Sequence, residues 1–454
     1  MRPVKYGRWP PRSSASVPCT PALEQPPDPL AQLLLGLAAG PLLTIGTPDP
    51  EVERASGTLP EREMLRLRHR MNALHRFVAL YALMYAAFGV SSPFMPAFFE
   101  QRGLSPEQIG LLFGVGTAVR LIAGPLVGRV ADLTQALRAV LASCQLLTAL
   151  VALELLWAPV FVPLLLTSLL HSAALAPTTT LADALAVGAA QPRHARPGFE
   201  YGWVRGTGSA VFVIGTLISG QLVDSRGLGS IIVFQAALLV AASGAATLVP
   251  SADRHAPVTA TEPTAPAGVK TLFGMPVFRR VMLLSALVLG SHAMHDTFAV
   301  IRWSAAGVTP TVASALWSES VAAEVLVFFV IGPRLLMRLG PAAAVAIAAA
   351  AGVVRWVAMA SSTSMMTLAL VQPLHGLTFA ALHLACMRVI AAIVPQHLAA
   401  TAQALYALAA GATTALLTVA SGWVYAAFGA QGFLVMALLC AAALPLTRGL
   451  RTSA

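Results

Sequence analysis

Charged residues are scarce in this sequence of 454 residues: Asp, Glu, Lys and Arg together make up 11% of it. Soluble globular proteins carry roughly 25%. So few charges cannot cover a water-facing surface, which argues against a soluble multidomain enzyme, a DNA-binding protein or a disordered chain. Cysteine is also rare. Its four positions are far apart and form no CxxC pair, so they predict neither a zinc site nor a disulfide framework: Cys19, Cys144, Cys386 and Cys440.

Apolar residues are abundant instead, at 57% of the chain, and the mean hydropathy is +0.74. Twelve apolar segments are each long enough to cross a hydrocarbon core about 30 Å thick as a helix. Backbone in lipid must satisfy its own hydrogen bonds, which favours helices. The segments are 76–99, 107–128, 136–157, 159–190, 202–223, 230–249, 277–303, 311–337, 341–361, 364–392, 399–427 and 430–447.

A polar stretch at residues 250–276 divides the twelve segments into six and six. Two halves of similar length joined by a linker indicate an internal repeat, with a binding site between the halves near mid-membrane. The fold class is therefore an all-α membrane protein with twelve transmembrane helices in two pseudosymmetric six-helix bundles. We assign the bundles to residues 71–249 and 277–447, followed by a tail at 448–454.

Residues 1–70 differ in composition, being rich in proline, serine and charge. Their one apolar run, at residues 30–45, is shorter than a span needs and begins too far along the chain to be a signal peptide. Two interpretations stay open. The segment is a poorly ordered cytoplasmic tail, or the gene model is over-long and translation begins at Met64 or Met71.

The net charge of +10 does not indicate nucleic acid, because the basic residues lie between apolar runs and not in one patch. Arginines and lysines concentrate in the loops after the even-numbered segments. By the positive-inside rule these loops and both termini are expected in the cytoplasm. We therefore expect a multi-pass protein of the inner (plasma) membrane.

Five ionisable residues fall inside the apolar segments: Asp183, Arg205, Glu324, Arg355 and His375. Each costs a few kcal/mol at mid-bilayer unless it is paired or faces water. Two carboxylates, two guanidinium groups and an imidazole can neutralise one another in a shared cavity. The alternative is a set of ion pairs that only fix helix packing.

Residues 124–132, with the sequence GPLVGRVAD, join the second and third segments, and residues 332–340 echo them in the second half. They resemble the cytoplasmic loop signature of the major facilitator superfamily. The resemblance implies that Gly128 allows close helix packing and that Asp132 belongs to an acid–base latch between conformations.

Further blocks between residues 71 and 450 resemble one branch of this superfamily, the 3-phenylpropionic acid permeases, and more distantly lactose permease. The blocks are SHA at 291–293, GVVRW at 352–356, QPLHGLTF at 372–379, LHLACMR at 382–388 and TAQALY at 401–406. The resemblance implies secondary active transport by alternating access. It implies no cofactor, and no enzymatic activity.

By resemblance to lactose permease, Arg205 is a substrate-binding arginine and Asp183 its carboxylate partner. Glu324, Arg355 and His375 match substrate-contacting and proton-coupling positions. The chain departs from that pattern one turn after His375, because Thr378 stands where a coupling glutamate is expected. A threonine cannot exchange a proton near pH 7, so sugar recognition and the usual coupling route are both in doubt.

The predicted substrate is a small organic solute, an aromatic or other carboxylic acid, moved with protons. A guanidinium fork suits a carboxylate, so Arg205 and Arg355 are expected to bind it, while Asp183 and Glu324 hold these arginines in the empty site. Glu324 and His375 are the predicted proton-coupling residues.

Two weaker candidates complete the site. Tyr81 and Tyr85 are one turn apart and are predicted to line the path of an aromatic substrate, although core packing would explain them as well. His292, His295 and Asp296 have a helical spacing that could hold a metal, but a hydrogen-bonded cavity lining is favoured, so no metal site is predicted.

The predicted partners are a small-molecule substrate, protons and the lipid bilayer, with the protein a monomer. Alternative functions stay open: a sugar or nucleoside proton symporter, a transporter-like solute sensor, or a polytopic membrane enzyme. The last is disfavoured because the longest internal loop, 250–276, carries no metal cluster, phosphate-binding loop or nucleophile triad.

Overall fold

The computed structural model describes residues 61–191, 198–250 and 266–450, with the side chains of 73–191, 198–250 and 268–450. Every regular element in these residues is a helix. Within these residues, ten continuous helical stretches are long and apolar enough to cross a membrane. Two of them, with 52 and 55 residues, are far longer than the ~20 residues of one crossing. Each of these two makes two crossings, so the described residues contain twelve spans.

The two long stretches are divided by glycines whose backbone conformation is left-handed. Gly340 has φ 74° and Gly429 has φ 54°. A residue with a Cβ atom is strained there, so glycine allows the chain to reverse between spans 8 and 9 and between spans 11 and 12. Pro341 follows Gly340 directly and starts span 9.

Each of the twelve spans consists of one helix or of several shorter helices in succession. Span 1 is Glu61–Ser91 with Met95–Gln101, span 2 Pro106–Thr134, span 3 Leu137–Glu154, span 4 Phe161–Leu175 with Thr178–Ala190, span 5 Tyr201–Arg226 and span 6 Gly229–Leu248. Span 7 is Pro276–Gly290 with Ala293–Ala305. Span 8 begins with Pro310–Leu326 and Val327–Ile331, and Gly332–Ser361 holds its end and span 9. Span 10 is Met365–Val371, Leu374–Gly376, Leu377–Ala381 and Leu382–Ile393, span 11 Ala399–Phe428 and span 12 Phe433–Thr447.

Spans 1, 4, 7 and 10 are each interrupted, and they are the first helices of four successive groups of three. Proline lies at the interruption in three of them, as Pro93, Pro177 and Pro373, whereas span 7 turns at Ser291 and His292. Proline lacks the N–H that would continue the helix ladder. Interrupted helices at corresponding positions are typical of a repeat that builds a central binding site.

The side of the bundle where span 6 ends at Leu248 and span 7 begins at Pro276 is called the linker side, and the opposite side the far side. The two halves meet where span 2 packs on span 11 and span 5 on span 8. Glycines permit the closest approach on the far side: a Cβ atom at Gly110 would lie 2.8 Å from Gly422 Cα, and one at Gly220 would lie 2.7 Å from the Pro310 carbonyl oxygen.

Asp224 strengthens the far-side contact, because its carboxylate accepts hydrogen bonds from the Thr311 backbone N–H at 3.0 Å and from the Thr311 hydroxyl. At the linker-side ends of spans 2 and 5, by contrast, a Cβ atom at Gly128 or Gly206 would meet no atom within 4 Å. The halves are therefore closed against each other on the far side.

The observed spans confirm the predicted fold class and number of crossings. One local expectation is corrected: residues 124–132 are not a loop. Span 2 stays helical to Thr134, and the turn is made by Gln135, with φ 51°. Gly128 and Asp132 therefore lie in the last turns of that helix, because the apolar run continues past Pro125.

The first described helix begins at Glu61, ten residues before the start predicted for the first bundle. Residues 1–60, 251–265 and 451–454, which hold most of the predicted N-terminal extension, linker and tail, lie outside the described residues. The division into 71–249, 250–276 and 277–447 therefore stays a prediction.

Candidate functional site

A cavity of about 770 Å³ lies between the two halves. All four interrupted spans contribute to its wall, with Phe88 and Phe99 from span 1, His171 from span 4, His295 from span 7 and His375 from span 10. Because interrupted helices turn polar backbone and side chains toward the interior, they produce a polar site in an otherwise apolar protein. Its size suits a small organic molecule.

Arg355 of span 9 is fully buried behind the cavity wall. Its guanidinium lies 3.1 Å from His375 Nδ1 and 3.3 Å from His295 Nε2, and it donates to Gln372 Oε1 at 2.8 Å. It also stacks over the ring of Trp356, 4.6 Å from the centroid. One arginine thus connects three polar side chains, two of which line the cavity.

His375 forms the next link, because its Nε2 lies 3.4 Å from Glu324 Oε2. The packing of span 10 against span 8 explains this contact. A Cβ atom at Gly376 would lie only 2.6 Å from the Ala323 carbonyl oxygen, so only glycine lets the two backbones approach so closely. His375 precedes Gly376 and Glu324 follows Ala323, so this close approach also brings their side chains together.

Short π-helical segments follow both of these residues. Val327–Ile331 begins three residues after Glu324, and Leu377–Ala381 begins two residues after His375. Such segments are rare and are frequent at functional sites. Spans 8 and 10 therefore both depart from regular α-helical geometry just after the residue that each contributes to the Glu324–His375 pair.

A second branch leads from Arg355 through His295 to Asp296. His295 Nδ1 lies 3.1 Å from Asp296 Oδ1, and the aspartate is 53% exposed and lines the cavity. His292 lies beside His375, with ring centroids 5.0 Å apart. In the described part of the chain, no group of three or more His, Cys, Asp and Glu residues has the geometry of a metal site. His292, His295 and Asp296 all line the cavity.

The first half holds a separate cluster on the linker side of the cavity. Tyr81 donates a hydrogen bond to Asp183 Oδ1, which also accepts one from Tyr201 at 2.8 Å. Arg205 donates to the Tyr85 hydroxyl and lies over that ring, 4.9 Å from the centroid. Tyr81 and Tyr85 stack, with centroids 5.7 Å apart.

The expected direct carboxylate–arginine pairs are not formed. Asp183 and Arg205 each contact tyrosines instead, and Glu324 contacts His375 and not Arg355. The tyrosine hydroxyls of span 1 lie between the charged groups of spans 4 and 5. Spacing along a helix could not reveal this, since it depends on how three helices meet.

None of Tyr81, Tyr85, Asp183 and Arg205 lines the cavity itself. The cavity is lined instead by Phe88, Thr179 and Phe212, which lie one or two turns farther along the same spans toward the far side. The four predicted residues therefore stand together between the cavity and the linker side, and the structure separates them from Glu324, Arg355 and His375.

Sequence reasoning missed two ionisable residues of the cavity wall. Arg120 lies in the middle of span 2 and His171 in the middle of span 4, and both line the cavity. The signal was present, because Arg120 interrupts the apolar segment 107–128 and His171 the segment 159–190. An ionisable residue within a span is a candidate functional residue, so both belong with the five residues selected from the sequence.

Comparison with known proteins agrees with this geometry. Residues 74–435 match the model of a family described as the MFS_1 like family. A relative from Escherichia coli (strain K12), named as a probable 3-phenylpropionic acid transporter, is 32% identical over 373 residues, which cover 80% of this chain and 94% of the relative. Maltose permease of Geobacillus stearothermophilus is 24% identical over 332 residues, 73% of this chain and 82% of the permease.

Solved structures of the same fold include transporters. A variant of the nucleoside transporter NupG superposes with a TM-score of 0.74 at 18% identity, covering 84% of this chain and all of that one. A bacterial homologue of the human lysosomal transporter Spinster, in an inward-facing and unoccupied conformation, gives a TM-score of 0.64 at 14% identity, covering 87% and 98%. At these identities the likeness concerns the fold.

Proposed function

This chain belongs to the MFS_1 like family of the major facilitator superfamily, and from that premise we propose that it moves a small carboxylic acid, preferably an aromatic one, together with protons. Its relatives are transporters and it is a multi-pass membrane protein with a central cavity. The mechanism is alternating access, in which the two halves expose that cavity to one side of the membrane and then to the other.

The observation that carries the choice of substrate is the composition of the cavity wall. It combines aromatic rings, among them Phe88, Phe113 and Phe379, with the basic side chains of Arg120 and four histidines. Rings pack against an aromatic body, and a guanidinium binds a carboxylate with two parallel hydrogen bonds. The name of the E. coli relative, a probable 3-phenylpropionic acid transporter, supports the same class.

Proton coupling is assigned to Glu324 and His375. Glu324 can hold a proton at its contact with His375, and His375 continues to Arg355. When Glu324 is ionised, the positive charge of the buried Arg355 lies on the other side of His375. When Glu324 takes up a proton, the negative charge facing His375 and Arg355 is lost. Protonation of Glu324 can therefore be linked to substrate binding in the adjacent cavity.

The cluster of Tyr81, Tyr85, Asp183 and Arg205 is assigned to substrate binding on the route between the cavity and the linker side. Arg205 is exposed, and Tyr85 holds its guanidinium in place. Arg355, which has no exposed surface, acts by fixing His375 and His295 at the cavity wall. Its direct binding of a carboxylate, expected from the sequence, would require it to leave these partners.

Gly128 and Asp132, in the last turns of span 2, are assigned to the conformational change between the two states. We place the protein in the inner (plasma) membrane as a monomer, with both termini and the linker side in the cytoplasm. The far-side closure then corresponds to an inward-facing state. The partners are the substrate, protons and lipid, without nucleic acid.

Uptake by proteoliposomes tests the function. Purified protein in liposomes with an acid exterior should accumulate labelled 3-phenylpropionate above its equilibrium level, and an uncoupler should abolish this accumulation. Maltose and uridine, tested in parallel, represent the sugar and nucleoside alternatives. Preferential uptake of either would replace the acid by that class, while binding without counterflow would identify a sensor.

A further inference from the structure

We propose that Arg120 of span 2 and the facing side chains of span 4 form the subsite that binds the substrate carboxylate. This inference rests on the proposed function and deepens it, because it assigns the anion to residues outside the set selected from the sequence. The subsite consists of Arg120, Ser168, His171 and Ser172, all of which line the cavity.

Arg120 has hydrogen-bonding capacity left for a ligand. Its Nη2 donates a hydrogen bond to Thr117 Oγ1 at 2.9 Å, on the same helix. No Asp or Glu oxygen of the described residues lies within 4.0 Å of it. A guanidinium has five N–H donors, and a charge in a span needs a counter-ion or water. An anionic substrate would supply that counter-ion.

The span 4 residues add unused polar atoms at the same wall. Ser168 Oγ and His171 Nε2 are buried and have no hydrogen-bond partner among the described residues. Ser168 as a whole is 6% exposed, yet it lines the cavity. Buried polar atoms are normally paired, so two unpaired ones on consecutive turns indicate a place for a ligand oxygen.

Close packing places Ser172 of span 4 against the face of span 2 that carries Arg120. A Cβ atom at Gly116 would lie 2.9 Å from Ser172 Oγ, so this face of span 2 lies directly against span 4. Arg120 is four residues after Gly116 and therefore lies on the same face, one turn farther along. His171 and Ser172 face this part of span 2, and Ser168 lies on the same face of span 4 one turn nearer the far side, where it lines the same cavity.

The remainder of the cavity fits the apolar part of the substrate. Phe113 lies seven residues before Arg120, which is about 10 Å along the helix, and its ring meets that of Phe99 edge to face at 5.7 Å. Both rings line the cavity. The subsite is therefore suited to a monocarboxylate with an aromatic body a few carbon atoms from the acid group.

The cavity charges explain why the acid group is assigned to the first half. Asp296, the acidic residue that lines the cavity in the described part of the chain, belongs to span 7 of the second half. Arg120 is the arginine of that wall and belongs to span 2. A substrate carboxylate beside Arg120 is attracted by the guanidinium, whereas one beside Asp296 would be repelled by the aspartate carboxylate.

Binding of 3-phenylpropionate and of the uncharged 3-phenylpropanol to purified variants tests this subsite. Arg120→Gln should weaken binding of the acid at least about tenfold, the value of a charged hydrogen bond, and leave binding of the alcohol unchanged. Arg120→Lys should recover part of the loss, because the charge stays but the fork is lost. Arg226→Gln, at the exposed end of span 5, is the matched control and should bind both as wild type does.

Ser168→Ala removes an unpaired hydroxyl, so the variant should fold. It should weaken binding of the acid about threefold. This variant tests the subsite if the Arg120 variants do not fold. Wild-type affinity for the acid in Arg120→Gln, or in Ser168→Ala if that arginine variant is unstable, overturns the subsite and leaves the function standing. A wild-type protein that binds no carboxylate overturns both. Loss of acid binding in Arg205→Gln but not in Arg120→Gln moves the anion site to span 5.

Discussion

His375 Nε2 lies 3.4 Å from Glu324 Oε2, although the two residues are 51 positions apart in the sequence. Span 10 can approach span 8 this closely because Gly376 has no side chain at the crossing point. The pair joins a carboxylate to the buried Arg355 through one imidazole. In the proposed mechanism this pair carries the coupling proton, because Thr378, one turn after His375, has no group that exchanges a proton near pH 7.

The first prediction concerns this pair. Glu324→Gln keeps the size of the side chain but cannot ionise, so the variant should exchange substrate across vesicles and no longer accumulate it under a pH gradient. One pH unit corresponds to about tenfold accumulation for one coupled proton, and the variant should stay near a ratio of about one. Uptake of labelled substrate into proteoliposomes, with and without the gradient, measures both.

Glu319→Gln is the control for that experiment, since Glu319 lies on the same span and has no recorded ion pair in the described residues. It should accumulate substrate as wild type does. Normal accumulation by Glu324→Gln would exclude Glu324 as the coupling group.

The second prediction concerns Arg355. Its guanidinium reaches His375, His295 and Gln372 at once, which the single ammonium of lysine cannot do. Arg355→Lys should insert into the membrane but lower proton-coupled uptake at least about tenfold, because the charged hydrogen bonds it loses are worth roughly 1.5–3 kcal/mol each. Uptake normalised to the amount of inserted protein checks this.

Arg388→Lys, at an exposed position of span 10, is the matched substitution and should leave uptake unchanged. If Arg355→Lys transports as well as this control, the arginine does not organise the site.

The third prediction concerns closure on the far side. A methyl group at Gly110 would lie 2.8 Å from Gly422 Cα and 2.9 Å from the Thr418 carbonyl oxygen, which are backbone atoms that cannot move aside. Gly110→Ala should therefore hold spans 2 and 11 apart and slow transport by roughly tenfold or more, since such overpacking costs about 1–3 kcal/mol. A cysteine at the buried Ser314, in a background without the native cysteines, should become more reactive toward a far-side thiol reagent.

Gly244→Ala serves as the comparison, because a methyl group there meets no atom within 4 Å. It should transport and label as the parent does. Unchanged labelling at position 314 together with normal transport in Gly110→Ala would contradict a closing role for the glycine contact.

The fourth prediction concerns orientation. Reporter fusions after residues 196, 265 and 451 should report the cytoplasm, and fusions after Arg102 and Arg226 should report the outside, because basic loops are retained on the cytoplasmic side. Each position is fused in turn to alkaline phosphatase, which is active outside the cytoplasm, and to a reporter that is active only in the cytoplasm. The two activities give the side of the membrane independently. Opposite results at two or more positions would reverse the assigned topology.

The apolar pattern was sufficient for the fold. Twelve segments could be read from the sequence because a span must be both long and continuously apolar, and each predicted segment corresponds to an observed span. The end of span 2 was the exception. The resemblance of residues 124–132 to a cytoplasmic loop signature predicted a loop there, but the helix continues to Thr134.

The candidate site was predictable only as a set of residue types. An ionisable side chain in a span stands out in any sequence, and this selected Asp183, Arg205, Glu324, Arg355 and His375. Their partners did not follow from it. Tyrosines separate Asp183 from Arg205, and a histidine separates Glu324 from Arg355, since side-chain contacts depend on helix crossings that sequence spacing does not specify.

The sequence by itself determined that this chain crosses a membrane twelve times, in two halves, with charges that need a polar interior. Only the tertiary structure decided that Arg120 and His171 line the cavity, that Tyr81, Tyr85, Asp183 and Arg205 stand apart from it, and that the far side is closed. The physical reason is that hydropathy acts on each segment locally, whereas the position of a charge relative to a cavity is set by glycine contacts between segments far apart in the chain.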